Sequence, residues 1–172
     1  MIKAVTLDFW DTIVIDDSDE PKRRLKGLCS KAESRKNSFV DEILSHHDFP
    51  VPIVEKALDD ANSWFTHCWK QEHHTPSVSI RLKKACEILG VQPTPGLPNV
   101  VSGYEMMEVE TPPDFAPGIA RCLMALSKSF ALGIISDTIV SPGTSLQKIL
   151  KEAGLLQYFS VFVFSLLPFL SL

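Results

Sequence analysis

Residues 130–137, FALGIISD, form a compact apolar run bounded by turn-forming residues, the pattern of a strand buried on both faces. A helical pattern follows from about Gly143 to Glu152, with Leu146, Ile149, Leu150 and Ala153 on one side. Gly154 closes it, and FSVFVFS, 159–165, reads as another strand. A strand, a crossover helix and a second strand of this length make a right-handed βαβ unit, which requires a parallel sheet. The N-terminal residues 3–10, KAVTLDFW, supply a further strand through their β-branched and aromatic content.

Between the first strand and this unit the pattern is helical. Leu25, Leu28, Cys29 and Ala32 space as one helix face, which Phe39, Ile43 and Leu44 continue. DFPVP, 48–52, breaks it. A second helix is expected from about Ile53 to Glu72, with Val54, Ala57, Leu58, Ala61, Phe65 and Cys68 on its apolar face. A third runs from about Ser77 to Leu89 and stops at Gly90. VQPTPGLP is a connector, followed by a short helical or irregular piece, a second connector at 111–118 and a helix over 114–129. The fold class is therefore α/β, a Rossmann-like parallel sheet of about three strands with an inserted all-α unit. Residues 1–14 and 113–172 are assigned to the core and 15–112 to the insert.

A formal net charge of -4 gives no electrostatic reason to expect nucleic acid. The basic cluster Lys22, Arg23, Arg24, Lys26, Lys31, Arg35 and Lys36 reads as the solvated face of a helix. Cys29, Cys68, Cys86 and Cys122 are widely spaced, with no CxxC pair, and no signal peptide precedes the first strand. Reduced, buried or half-buried thiols and a cytoplasmic location are expected. His67, Cys68, His73 and His74 lack a metal-ligand spacing. Residues 154–172 carry no charged side chain, but Gln157, three serines and Pro168 interrupt them, so no membrane anchor is expected.

Open parallel sheets bind ligands at the carboxyl ends of their strands. Two strands here end in polar residues: Asp8-Phe9-Trp10-Asp11-Thr12 and Ser136-Asp137-Thr138. A carboxylate on one strand beside a hydroxyl on the next suits a covalent aspartyl mechanism, in which the acid attacks and the hydroxyl holds developing charge. Asp, Ser and Thr also favour turns, so each end alone has an ordinary reading as a turn.

The two strand ends, with a helical insert between them, resemble the haloacid dehalogenase superfamily of hydrolases. AVTLDFWDTIV is similar to its first motif, LGIISDT to its second, and the insert to its α-helical cap. The resemblance implies that Asp8 is the nucleophile, that Ser136 hydrogen-bonds the transferred group, and that Thr12 orients the loop. Asp137 would lie beside the substrate. Asp8 and the backbone carbonyl of Trp10 would hold Mg²⁺, and the substrate would be a small phosphorylated or halogenated molecule.

Two features depart from that pattern. Phosphatases of the family place a proton-donating Asp two residues after the nucleophile; here that residue is Trp10, whose indole is a hydrogen-bond donor with no usable acid. The dehalogenase branch carries an aromatic residue there. Asp11 is one residue late and reads as a turn residue. The family also uses a lysine after the third strand and carboxylates after the fourth, yet no Lys, Arg, Asp or Glu follows Glu152. Lys148 and Lys151 sit on the preceding helix. The expectation is a truncated or alternatively terminated form of a longer protein, with weak or no turnover, or a non-catalytic isoform or interaction module. An unpaired apolar strand edge would favour self-association.

Overall fold

The computed structural model describes residues 2–165. Three short strands, β1 (Ala4–Leu7), β2 (Ala131–Ser136) and β3 (Val161–Phe164), form a parallel sheet in the order β1-β2-β3. Thr6 pairs with Gly133, and Gly133 in turn with Val161. The seven helices among the described residues are α1 (Asp19–Leu25), α2 (Lys31–Leu44), α3 (Val51–Gln71), α4 (Val78–Ile88), α5 (Leu97–Glu110), α6 (Ile119–Leu126) and α7 (Gly143–Glu152).

The chain moves across the sheet in one direction, so right-handed crossovers place the helices before β2 and β3 on the same face. Leu132, Ile134 and Phe164 point to that face and pack with Leu123 of α6 and Leu146 and Leu150 of α7. The other face is open among the described residues: Ile135 is 53% exposed and Val161 55%. Run 130–137 is thus covered on one face only, against the sequence expectation. An apolar run reports burial potential, and the covering layer must come from elsewhere in the chain.

A second core lies within the helical insert and is built from Phe39, Ile43, Val54, Leu82 and Leu97 among others. Helix α5 serves both cores: Val100 and Tyr104 face the helical one, while Met106 and Val109 pack toward the sheet. The apolar face expected on the second helix is buried throughout, from Val54 to Cys68. Gly90 and Gly154 adopt positive φ (72° and 69°) just past α4 and α7, the left-handed helix stop that glycine permits.

Two expectations need correction, and one open alternative is settled. The pattern through Leu25 to Ala32 is broken between α1 and α2; Gly27 turns the chain at φ 71°, and Leu25 is 89% exposed. Ser30 then caps α2, its hydroxyl accepting from the Glu33 N–H at 3.2 Å. Cys29 and Cys122 are exposed; Cys68 and Cys86 are buried. The piece after residue 98 is regular helix, α5, with its proline tolerated in the first turn.

Among the described residues no helix is long and apolar enough to cross a membrane. Of the uncharged segment 154–172, the beginning forms a 3₁₀ turn (Leu156–Tyr158) and β3, and residues 166–172 lie outside the described residues.

Candidate functional site

The loop after β1 is anchored by three buried side chains, Phe9, Ile13 and Val14, which belong to the sheet core. The N–H groups of Ile13 and Val14 both donate to the Phe9 carbonyl, at 2.9 and 3.1 Å. Ala116 N–H donates to the Ile13 carbonyl and Ile15 N–H to that of Asp114, tying the loop to the segment before α6. This is why the strand ends early, at Leu7: burying the aromatic of Phe9 bends the chain out of the ladder.

The bend leaves Asp8 exposed at the carboxyl end of β1. Its Oδ1 accepts from the Ser136 hydroxyl at 2.6 Å and from the Phe9 N–H at 2.7 Å. Ser136 is buried at the end of the neighbouring strand. The parallel register brings the two ends level, so residues 128 positions apart meet. Two donors on one carboxylate oxygen leave Oδ2 without a hydrogen bond among the described residues.

The remaining residues of the two motifs divide. Trp10 packs edge-on against Phe9 and lines a cavity of about 310 Å³, whose walls include Lys31, Trp69, Glu108 and Asp137. Asp137 accepts a hydrogen bond from the Trp69 indole of α3, closing helical insert against strand end. Thr12 is half-buried in the turn, with Asp8 and Ser136 outside the cavity wall. Asp11 takes a left-handed conformation (φ 51°), and its carboxylate accepts from the Asp16 N–H at 3.0 Å. It is a turn residue turned back on its own loop. Asp16 does line the cavity. Burial raises its carboxyl above the usual range, the like charges of Asp17 and Asp11 add to this, and the Asp17 N–H opposes it.

The basic cluster is solvated only in part: Arg24 and Lys26 are exposed, whereas Lys31 and Arg23 are buried. Lys31 is buried, and its ammonium lies 2.9 Å from Asp19, 3.2 Å from Asp17 and 3.5 Å from Glu108. Burial alone would lower its pKa; the hydrogen bond to Asp19 and the charges of Glu108 and Asp19 outweigh that and raise it. Arg35 pairs with Glu108 at 3.0 Å, and the other Glu108 oxygen accepts from Ser141 Oγ. Arg23 is buried too, donating to the Cys29 carbonyl and to Ser34. Sequence reasoning missed this network because its partners come from α1, α2 and α5. Trp69 of α3 is half-buried and stands at the cavity.

Several solved structures align with this chain over most of its length. The likeness is to haloacid dehalogenase-type proteins. YfnB of Bacillus subtilis, a HAD-type protein solved bound to magnesium, aligns over 95% of this chain and 63% of its own at 14% identity and a TM-score of 0.48. The L-2-haloacid dehalogenase of Xanthobacter autotrophicus with chloropropionic acid covalently bound aligns over 95% and 56%, at 15% identity and a TM-score of 0.42. A predicted phosphoglycolate phosphatase from Haemophilus somnus aligns over 97% and 64%, at 18% identity and a TM-score of 0.49. The chain therefore spans less than two thirds of the length of these structures. No family model matches it, and no curated protein does.

The resemblance implies magnesium at these strand ends. Mg²⁺ takes near-octahedral oxygen ligands. Asp8 offers one carboxylate with one oxygen already holding two hydrogen bonds, and Trp10 a carbonyl. Among the described residues no group of three or more His, Cys, Asp or Glu side chains is placed to hold a metal. These donors alone do not fit the ion, and no step below is routed through it.

Proposed function

We propose that the chain carries an aspartyl-nucleophile hydrolase site of the haloacid dehalogenase type, with a core of residues 1–14 and 113–172 and a cap of 15–112. The supporting observation is the 2.6 Å hydrogen bond from Ser136 to Asp8 at the carboxyl ends of adjacent strands. Ser136 and the Phe9 N–H fix one carboxylate oxygen, and Oδ2 is the attacking atom. In attack, an Oδ2 lone pair forms a bond to the substrate's phosphorus or halogen-bearing carbon, and the bond to the leaving group breaks with its electrons. Water then cleaves the resulting acyl phosphate or ester, restoring the carboxylate and releasing the product and a proton.

Trp10 stands where a proton donor would be needed for an alkoxide to leave, and Asp11 is held in its turn. The reading therefore favours leaving groups stable as anions, halide or aryl oxide, over simple alkyl phosphates. Thr12 holds the loop, and Asp137 borders the substrate. The location proposed is cytoplasmic and the partner a small molecule, with no nucleic acid.

A second reading, a non-catalytic interaction module, is favoured by one feature: the cations on the adjoining cavity, Lys31 and Arg35, are already ion-paired with carboxylates. A single assay separates the two. The purified chain is incubated with 4-nitrophenyl phosphate and with 2-chloropropionate, with and without Mg²⁺, beside Asp8→Asn. Slow turnover that Asp8→Asn abolishes supports the hydrolase. Turnover that survives the substitution sinks it, and a folded chain with no turnover leaves the interaction module.

A further inference from the structure

We propose that the larger cavity of the helical insert, about 730 Å³, is a subsite for a small organic monocarboxylate, its charged end held by Arg81 and its apolar body laid on Trp69. Arg81 projects from α4 and is only 9% exposed. Its guanidinium lies 3.5 Å from the centre of the Phe65 ring and donates to the Ile139 carbonyl at 2.5 Å. Its Nε has no hydrogen-bond partner, and among the described residues no carboxylate pairs with it. A buried cation without a counter-charge is costly to a fold, and an incoming anion removes the cost.

The neighbouring cations do not compete for that anion. Arg35 is matched by Glu108 at 3.0 Å, and Lys36 by Glu55 at 2.9 Å. Guanidinium fits carboxylate or phosphate equally in shape. Charge distinguishes them: one unmatched cation suits one negative charge, and the exposed acids Glu33 and Asp59 at the cavity mouth repel a dianion. Trp69 is half-buried, with its ring centre 6.3 Å from that of the buried Phe65, and gives the apolar body a floor.

Arg35, Trp69, Ile139 and Val140 line both this cavity and the smaller one that reaches Trp10 and Asp137. A ligand anchored on Arg81 thus extends toward the strand ends. Naming that ligand as substrate rests on the hydrolase reading; the subsite itself does not.

The experiment uses phenylacetate as the probe, with phenylacetamide as its neutral counterpart and phenyl phosphate as the dianion. Binding is followed by tryptophan fluorescence and by calorimetry. Phenylacetate is expected to bind saturably, and the amide and the phosphate at least about tenfold more weakly. Arg81→Met is expected to lose about tenfold or more for phenylacetate, and Asp8→Asn to lose nothing. Equal binding of acid and amide overturns the proposal, as does a lack of saturation below about 10 mM or an Arg81→Met variant of unchanged affinity. The acid–amide comparison on the native chain keeps the test decisive if the variant fails to fold. Charge-selective binding without turnover supports the subsite while the hydrolase reading fails. Turnover that depends on Asp8, with binding indifferent to Arg81, does the reverse.

Discussion

The Ser136 hydroxyl donates to Asp8 Oδ1 across 2.6 Å, and that bond joins the end of β2 to the end of β1. Because the donor is buried and the acceptor is a carboxylate, the bond is of the charge-assisted kind. Ser136→Ala is expected to lower stability by about 1 kcal/mol, read from urea unfolding. If Asp8 is the nucleophile, the same variant loses about a hundredfold in turnover, and Ser136→Thr recovers part of it. Equal turnover in Ser136→Ala and the native chain would separate the hydrogen bond from the chemistry.

Lys31 is the hinge of the charge network, and its removal leaves the buried Asp19 without its cation, while Glu108 keeps Arg35 at 3.0 Å. Lys31→Met is expected to cost about 3–5 kcal/mol, far more than any exposed lysine, because an uncompensated buried carboxylate remains. Lys36→Met serves as the exposed control; its ion pair with Glu55 is solvated and the change should be small. The pH dependence follows from the raised pKa of Lys31. A lysine whose folded pKa exceeds its unfolded value of 10.5 contributes stability that is complete below that value. The contribution is lost as pH rises through the folded value, so unfolding free energy in the native chain should fall above about pH 10.5 more steeply than in Lys31→Met.

Some of this was legible in the residues and some was not, for physical reasons. Strand β2, helix α7 and strand β3 announce themselves because apolar runs and glycine stops are local signals. The face of α3 is legible for the same reason: six buried residues recur at helical spacing. The boundary between α1 and α2 had a local signal too, Ser30 followed three residues later by Glu33, which the continuing apolar spacing masked. The burial of Lys31 had none. Its partner Glu108 lies on α5, and nothing in a run of basic residues says which of them will meet a distant acid. The Asp8–Ser136 pair was readable only as two strand ends; the register that levels them comes from the sheet.

Trp69 and Asp137 tie α3 to the end of β2, and both lie at the cavity. Trp69→Phe removes the indole donor and keeps a ring to stack on Phe65. The bond is solvent-exposed, so the expected loss in global stability is under about 1 kcal/mol. Local opening should change more than global stability: amide exchange over residues 137–141 is expected to quicken while that of β2 is unchanged. Equal exchange in both segments would mean that the contact does not hold insert and strand together.

Arg81→Met bears on stability as well as on binding. Burial is the largest cause lowering the Arg81 pKa to about 10, with Arg35 adding repulsion and Tyr104 opposing. A base depressed below its ordinary value penalises the folded state at every pH below the folded value, and the penalty fades as pH rises above about 10. Methionine fills similar volume without the charge, so the variant is expected to gain about 1 kcal/mol at neutral pH. A loss of stability in urea unfolding would show that the contacts to Phe65 and Ile139 outweigh the desolvation.

Gly143 opens α7 directly against β3, and a Cβ built there would overlap the ring of Phe164. Its φ is not in the left-handed region, so the requirement is for space and not for backbone freedom. Replacing a glycine by alanine in a helix ordinarily gains about 0.5–1 kcal/mol. Here Phe164 is itself buried in the sheet core and cannot swing away, so Gly143→Ala is expected to cost about 1–3 kcal/mol instead. The double variant Gly143→Ala with Phe164→Val removes the overlap. Relative to Phe164→Val alone, the alanine should then cost little or stabilise, giving a coupling energy above about 1 kcal/mol between the two positions in urea unfolding. Additive effects would show that α7 and β3 shift apart freely.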